Sequence, residues 1–244
     1  MIISKKYNFI FIRPTKVASS SFNAAYVFFK DKKDIISSNQ NEYKLFNFFN
    51  FIKEFVKNEK RRKQFFKRLF KRSFFNTFIS MFSSLGPHPS AKRIKKYLEY
   101  DNNLLFKNFT KITIVRNPWS KFLSYYLYKN NINSLLDFDK NKFNFYILDY
   151  LKNYNPKIFY FIEDEEIIDF YIRFENFEND IKQLETFKIL PKGFFEKFSN
   201  QNKKINKISK KINIKELYND LHELNKKIRT VCKFEIKKFN YKQP

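Results

Sequence analysis

Lys16, the consecutive serines Ser19, Ser20 and Ser21, and Arg116 are residues whose types and spacing can do chemistry. The first four follow an apolar run, Tyr7 to Arg13, that reads as a β-strand, and they lead into a run with helical spacing. The order is strand, tight loop, helix. A loop entering a helix exposes backbone N–H groups that have no intrahelical partner. Those donors and the positive end of the helix dipole attract an anion. Lys16 adds a full charge and the hydroxyls add donors, a design for grasping a phosphate. It is not a nucleotide-triphosphate loop, which needs G-x-x-x-x-G-K-[ST]; Gly86 and Gly193, the glycines of the chain, lie elsewhere. Serine is also a preferred helix cap, so an ordinary capped helix is the competing reading of this stretch taken alone.

Arg116 sits in a second unit of the same kind. Ile112, Thr113, Ile114 and Val115 make a short β-branched strand. Pro118 stands where a helix begins, and Phe122, Leu123, Tyr126 and Leu127 mark its apolar face. Arg116 at the strand end can fork two N–H bonds to a phosphate. Ser124, about two helical turns on, can add a hydroxyl.

With both units quoted, a likeness can be named. The run Lys16-Val17-Ala18-Ser19-Ser20-Ser21-Phe22 resembles the 5′-phosphosulfate loop of sulfotransferases that use PAPS (3′-phosphoadenosine 5′-phosphosulfate), above all carbohydrate sulfotransferases of the heparan sulfate 2-O type and their bacterial relatives. Residues 111–128 resemble that family's 3′-phosphate motif, with Arg116 and Ser124 in its phosphate-holding positions. Weaker likenesses cover residues 169–180, where Arg173 and Glu175 read as a polar pair at a strand end, and residues 206–211, similar to a late loop closing over the nucleotide. The resemblance spans about residues 7–211, and only its first two motifs are specific. It implies a sulfuryl donor, PAPS, bound without a metal. Lys16 would lie over the 5′-phosphate bridge, Val17, Ala18 and Ser19 to Ser21 around the 5′-phosphate, and Arg116 with Ser124 at the 3′-phosphate. Some members take their base from a glutamate in or after the first helix; residues 21–30 contain none. In the 2-O type a histidine between the two phosphate motifs serves, and His88, in a Gly-Pro-His-Pro setting, occupies that place. A turn histidine capping the next helix is the alternative. His222 reads as a surface or packing residue.

These residues need elements to hold them. The pattern predicts helices from Ser19 to about Lys30, through Leu98, over Pro118–Tyr128, from Phe177 to about Phe187, and from about Ile214 to Phe239. The last carries Leu217, Leu221, Leu224, Ile228 and Cys232 on one face. Strands are expected over Tyr7–Arg13, Lys111–Arg116 and Ile167–Arg173. Alternating strands and helices argue an α/β fold with a central parallel sheet flanked by helices, three-layered and P-loop-like. The 244 residues suit one domain, 1–244, with a basic helical insertion at about 31–84. Within that insertion, nine Lys and Arg between 57 and 72 interleave with Phe65, Phe66, Leu69 and Phe70. It reads either as an amphipathic helix with a solvated basic face or as a contact for an acidic glycan or membrane surface.

The formal charge is +25, from 49 Lys+Arg against 24 Asp+Glu, a field that attracts anions. Richness in Phe, Asn and Ile suggests that coding bias contributes to the lysine count. Cys232 is the single cysteine, so no internal disulfide forms, and no apolar run approaches the roughly 20 residues that span a bilayer. The two histidines are far apart and no His/Cys set suits a metal. The expectation is a cytoplasmic sulfotransferase acting on a saccharide hydroxyl, the saccharide anionic if the charge is functional. A basic nucleic-acid-binding protein without catalysis is the alternative. It accounts for the charge and the aromatic residues but not for two anion-grasping units in this order. A P-loop kinase is disfavoured by the missing glycines.

Overall fold

The computed structural model describes residues 1–36, 88–100, 105–201, 209 and 211–244. Most of the predicted basic insertion, its 57–72 segment included, and most of the 206–211 loop fall outside them. The fold is α/β, built on a five-stranded sheet. Its strands are β1 (Ile2–Ser4), β2 (Phe9–Ile12), β3 (Ile35–Ile36), β4 (Thr110–Val115) and β7 (Phe170–Arg173), in the order β3-β1-β2-β4-β7. A separate hairpin joins β5 (Phe161–Ile162) to β6 (Glu165–Glu166).

The sheet is mixed, which corrects the expected parallel one. Strands β2, β4 and β7 are parallel, with Phe11 opposite Ile112 and Ile114 opposite Ile172. Strands β1 and β3 add antiparallel pairs at one side, Ile3 facing Ile10 and Ile35. The cause is local. After Ser4 the chain reverses within four residues, and Asn8, at φ 55°, takes the left-handed conformation that asparagine tolerates. Asp34 then ties down the reversal: its carboxylate accepts from Lys5 N (2.7 Å), Lys6 N (3.3 Å) and the Tyr26 hydroxyl (2.7 Å).

Both faces of the sheet are buried, so Phe9–Ile12 is apolar throughout rather than alternating. Phe9 and Phe11 pack with Phe22 and Tyr26 of α1 (Ser19–Tyr26) and with Phe194 and Phe198 of a later helix. Ile10 and Ile12 pack on the opposite face with Ala91, Ile94 and Leu98 of α2 (Ala91–Tyr100). Helix α3 (Pro118–Lys129) follows β4, with Pro118 at its first position and the Asn117 side chain accepting from Trp119 N. Helix α4 (Lys140–Lys152) packs on α3 through Phe143, Ile147 and Leu151, and α5 (Phe177–Thr186) covers β7.

Two predicted helices come out differently. Helix α1 stops at Tyr26 instead of reaching Lys30, because the chain turns there and leaves Val27 and Phe28 exposed. The long final helix is broken into α7 (Ile214–Asn219), α8 (His222–Val231) and α9 (Lys233–Phe239), with α6 (Phe194–Gln201) preceding them. Tertiary hydrogen bonds interrupt it. Asn225 accepts from the Trp119 indole (2.9 Å) and donates to the Tyr218 carbonyl (2.7 Å), which is thereby drawn from the helical ladder. The predicted face survives, since Leu217, Leu221, Leu224, Ile228 and Cys232 all enter one core. Arg173 and Glu175 are not a pair. Arg173 grips Asp180 through Nε (2.9 Å) and Nη2 (2.6 Å), while Glu175 accepts from Asn117 N and the Tyr241 hydroxyl.

Phe22 is the clamp that holds the start of α1 to the sheet. Its ring stacks on Phe11 at 4.0 Å and meets Phe194 at 4.7 Å, fully buried. Phe22→Ala should cost about 3–5 kcal/mol in urea unfolding; a loss below about 1 kcal/mol would show that the clamp is not stabilising.

Candidate functional site

Each parallel strand runs into an arginine at its carboxyl end: Arg13 after β2, Arg116 after β4 and Arg173 closing β7. Ligands of open α/β sheets bind outside those ends. Arg173 is neutralised by Asp180. Among the described residues, Arg13, Arg116 and Lys16 form no ion pair with a carboxylate. The charge left over therefore gathers between β2 and β4.

The loop from Pro14 to Ala18 is shaped by backbone strain. Lys16 (φ 58°) and Ala18 (φ 60°) both lie in the left-handed region. Glycine reaches it freely, and other residues pay about 1 kcal/mol or more. Lys16 and Ala18 adopt it without glycine, as happens where surrounding contacts over-determine the backbone. Arg13 supplies those contacts. Its side chain is 6% exposed and donates from Nε to Ser19 Oγ (3.0 Å) and from Nη2 to Ser20 Oγ (2.6 Å). Ser19 in turn donates to the Pro14 carbonyl (3.1 Å). The Ser19 hydroxyl is thus committed inside the loop, whereas Ser20, exposed and accepting from Arg13, keeps its own proton for another acceptor. Sequence reasoning missed Arg13. The signal was its position at a strand end, the counterpart of Arg116 on the neighbouring strand.

Arg116 joins the second unit to this loop. Nη1 donates to the Lys16 carbonyl (3.2 Å), Nε donates to Ser120 Oγ (3.1 Å), and the guanidinium lies 4.1 Å from the Phe174 ring centre. Burial lowers its pKa to about 10, against the opposing charge of Glu175. Burial lowers the Lys16 ammonium to about 8, and the neighbouring Arg116 charge adds to the shift. The ammonium rests over the Tyr128 ring at 4.0 Å. Ser120, Ser124 and Tyr128 recur every four residues along α3, so they share one stripe of its surface. Ser120 rather than Ser124 bonds Arg116; Ser124, half-buried, stands one turn further on between Ser120 and Tyr128. Val17 is buried in the core beneath the loop, and Ser21 is partly exposed in the first turn of α1.

His88 comes to the same place from outside the sheet. Its Nδ1 lies 2.9 Å from the Arg13 carbonyl oxygen. A carbonyl only accepts, so Nδ1 carries the proton and Nε2 carries the lone pair in the neutral ring. Burial lowers the imidazole pKa to about 4; the bond to the Arg13 carbonyl opposes that shift and the Arg13 charge adds to it. The ring is neutral at pH 7 and is anchored through Nδ1 at the start of the anion loop. His222 is exposed at the start of α8.

Other features are less suited to chemistry. A pocket of about 230 Å³ opens at the free edge of β7, but its charged residues, Arg173 and Asp180, are spent on each other. Among the described residues no group of three His, Cys, Asp or Glu could hold a metal ion, and no helix is long and apolar enough to cross a membrane. Cys232 is buried, and burial pushes its thiol pKa up, away from reactivity.

Two outcomes are expected. Ala18→Gly should leave stability unchanged or raise it by up to about 1 kcal/mol, and Ala18→Val should lower it by more than about 1 kcal/mol, both read by urea unfolding. The reverse order would remove the strain argument. The second concerns pH. Free histidine titrates at 6.5 and folded His88 at about 4, so between those values the unfolded chain binds the proton that the folded chain refuses. Stability contributed this way is present above pH 6.5 and is lost as pH falls toward 4. His88→Asn should flatten the pH dependence of urea midpoints across that window; an unaltered slope would place His88 in solvent.

Compared with protein-family models, with curated proteins and with solved structures, the chain matches none.

Proposed function

We propose that the protein is a PAPS-dependent sulfotransferase acting on a hydroxyl of a saccharide, on a three-layer, P-loop-like α/β scaffold. One observation carries the reading. Arg13, Lys16 and Arg116 converge on a strained loop without a carboxylate partner among the described residues, and a neutral histidine bonds the Arg13 carbonyl beside them. Such a site lacks two things, an anion and a proton to accept.

The residues present suit a doubly phosphorylated nucleotide. The 5′-phosphate end falls to the backbone donors of residues 16–21, the Ser20 hydroxyl and the Lys16 ammonium. The 3′-phosphate falls to Arg116 and Ser124. When bound, the donor supplies a sulfuryl group that passes to the acceptor oxygen as its bond to the 5′-phosphate breaks, releasing adenosine 3′,5′-bisphosphate. The chain's own work is positioning and electrostatics. Lys16, drawn down to about 8 by burial and by Arg116, keeps its proton at pH 7 and holds it more firmly when an anion docks. It then faces the bridge oxygen where negative charge grows. His88 Nε2 takes the acceptor hydroxyl's proton, and the Arg13 carbonyl holds the ring by its Nδ1–H and stabilises the imidazolium that forms. Arg13 touches neither reactant; it shapes the loop through Ser19 and Ser20.

A nucleic-acid surface would spread its cations over an exposed face to follow a backbone. Here the decisive ones are largely buried at two strand ends.

Incubation with PAPS and a panel of polysaccharide fragments should give products heavier by one sulfuryl group in mass spectra. His88→Ala should cut turnover by about 100-fold or more while the affinity for adenosine 3′,5′-bisphosphate, measured by calorimetry, stays within about twofold. Full turnover in the variant would dismiss His88 as the base, and no affinity for the bisphosphate in the native chain would dismiss the enzyme.

A further inference from the structure

Glu175 sits near two arginines and pairs with neither. Its charge acts on Arg116, whose guanidinium lies 4.1 Å from the ring centre of the adjoining Phe174. Arg173, two positions earlier, is held by Asp180 through Nε and Nη2. Among the described residues Glu175 forms no ion pair. A guanidinium with a carboxylate in reach normally takes it in a fork of two bonds. Here both oxygens go to neutral donors instead. Oε1 accepts from Asn117 N (2.8 Å), one residue past Arg116, and Oε2 accepts from the Tyr241 hydroxyl (3.1 Å). That hydroxyl is brought by a turn after α9. Asn240 takes the left-handed conformation at φ 51°, and Tyr241 N bonds the Ile236 carbonyl (3.1 Å). The chain so reversed lies across the start of α3, where Asn117 Nδ2 donates to the Lys242 carbonyl (3.2 Å). Phe239 steadies it, 5.1 Å from the Tyr171 ring and 5.8 Å from the Tyr241 ring.

We propose that Tyr241 is a positioning residue whose hydroxyl holds the Glu175 carboxylate off Arg116 and so keeps that arginine open to an anion. The inference rests on the assignment of Arg116 to a phosphate and adds the device that keeps the position vacant. Without the Tyr241 bond, Oε2 of Glu175 has a lone pair to offer and Arg116 is the neighbouring cation without a carboxylate. An acid seated on the arginine competes with the ligand, and apparent affinity falls with the fraction of chains left open. Tyr241 suits the task because it remains a donor. Burial first, and the Glu175 charge next, push its hydroxyl pKa up, so it stays protonated at neutral pH. A lysine in the same place would bind the acid too, but would add a like charge beside Arg116. The hydroxyl restrains the carboxylate without changing the charge that the anion meets.

The test compares Tyr241→Phe, Glu175→Gln and the double variant, each in the full chain. Tyr241→Phe keeps the ring against Phe239 and removes one hydroxyl. It should weaken adenosine 3′,5′-bisphosphate by about tenfold in calorimetry. Affinity for adenosine 5′-phosphate, which has no 3′-phosphate, should stay within about twofold. Glu175→Gln keeps the shape of the acid and loses its charge, so bisphosphate affinity should stay within about threefold of the native chain, both alone and combined with Tyr241→Phe. Removing a charge would not rescue a packing defect. A second readout needs no ligand: in arginine-selective NMR the Arg116 guanidinium signals should move in Tyr241→Phe and return in the double variant. Native affinity with unmoved signals in Tyr241→Phe, or a double variant as weak as Tyr241→Phe alone, would overturn the role. A native chain that ignores the bisphosphate while the Arg116 signals still move would uphold the restraint on Glu175 and remove the nucleotide. Bisphosphate binding and sulfuryl transfer that persist undiminished in Tyr241→Phe would do the opposite.

Discussion

Positive charge without a counterion among the described residues, held at the carboxyl ends of two adjacent parallel strands, is the constraint on which the site depends. Strands β2 and β4 pair in register, Ile12 opposite Thr113, which brings the arginines that follow them to neighbouring positions. On the third parallel strand the same geometry is cancelled, because Asp180 binds Arg173 along both edges of its carboxylate. There burial would raise the Asp180 carboxyl pKa, but the hydrogen bonds from Arg173 and Asn176 outweigh it and hold the group ionised. Next to Arg116 the available acid, Glu175, is turned aside by Asn117 N and the Tyr241 hydroxyl. The contrast between the strand ends separates a paired arginine from ones without a carboxylate partner among the described residues.

Holding like charges together is costly, and the surroundings show how the cost is met. Arg13 spends its guanidinium on two serine hydroxyls, Arg116 on the Lys16 carbonyl and a serine, and Lys16 on the face of Tyr128. All are neutral partners that solvate a cation without neutralising it. The same bonds fix the left-handed backbone at Lys16 and Ala18. Phe22, stacked on Phe11, prevents α1 from moving away to relax the loop. Strain, buried charge and aromatic clamp form one arrangement.

The loop and Arg116 stood out in sequence because they lie in contiguous stretches, where strand, turn and helix signals adjoin. The parallel trio β2, β4 and β7 was legible for the same reason. Arg13 was not, since a strand-terminal arginine has no local mark that tells a loop-shaping residue from a solvated one; only its bonds to Ser19 and Ser20 do that. The added antiparallel strands escaped notice because two or three residues are too few to show a period, and a distant Asp34 pins them. The C-terminal helix was read whole because its apolar spacing runs unbroken through Cys232, while the breaks are made by Asn225 and Tyr218 reaching Trp119, about 100 positions away.

The amino-acid sequence by itself determined the local units: where strands give way to helices, which loop brings a lysine and three serines to a helix start, and where the net charge of +25 lies along the chain. Those follow from backbone preference and side-chain type over a few neighbouring residues. Only the tertiary structure decided which cations stay unpaired among the described residues, that His88 turns Nδ1 to the Arg13 carbonyl, and that the Tyr128 ring lies under the Lys16 ammonium. Each of those is a contact between residues far apart in the chain, and burial at that contact, rather than residue type, sets the charge a side chain carries.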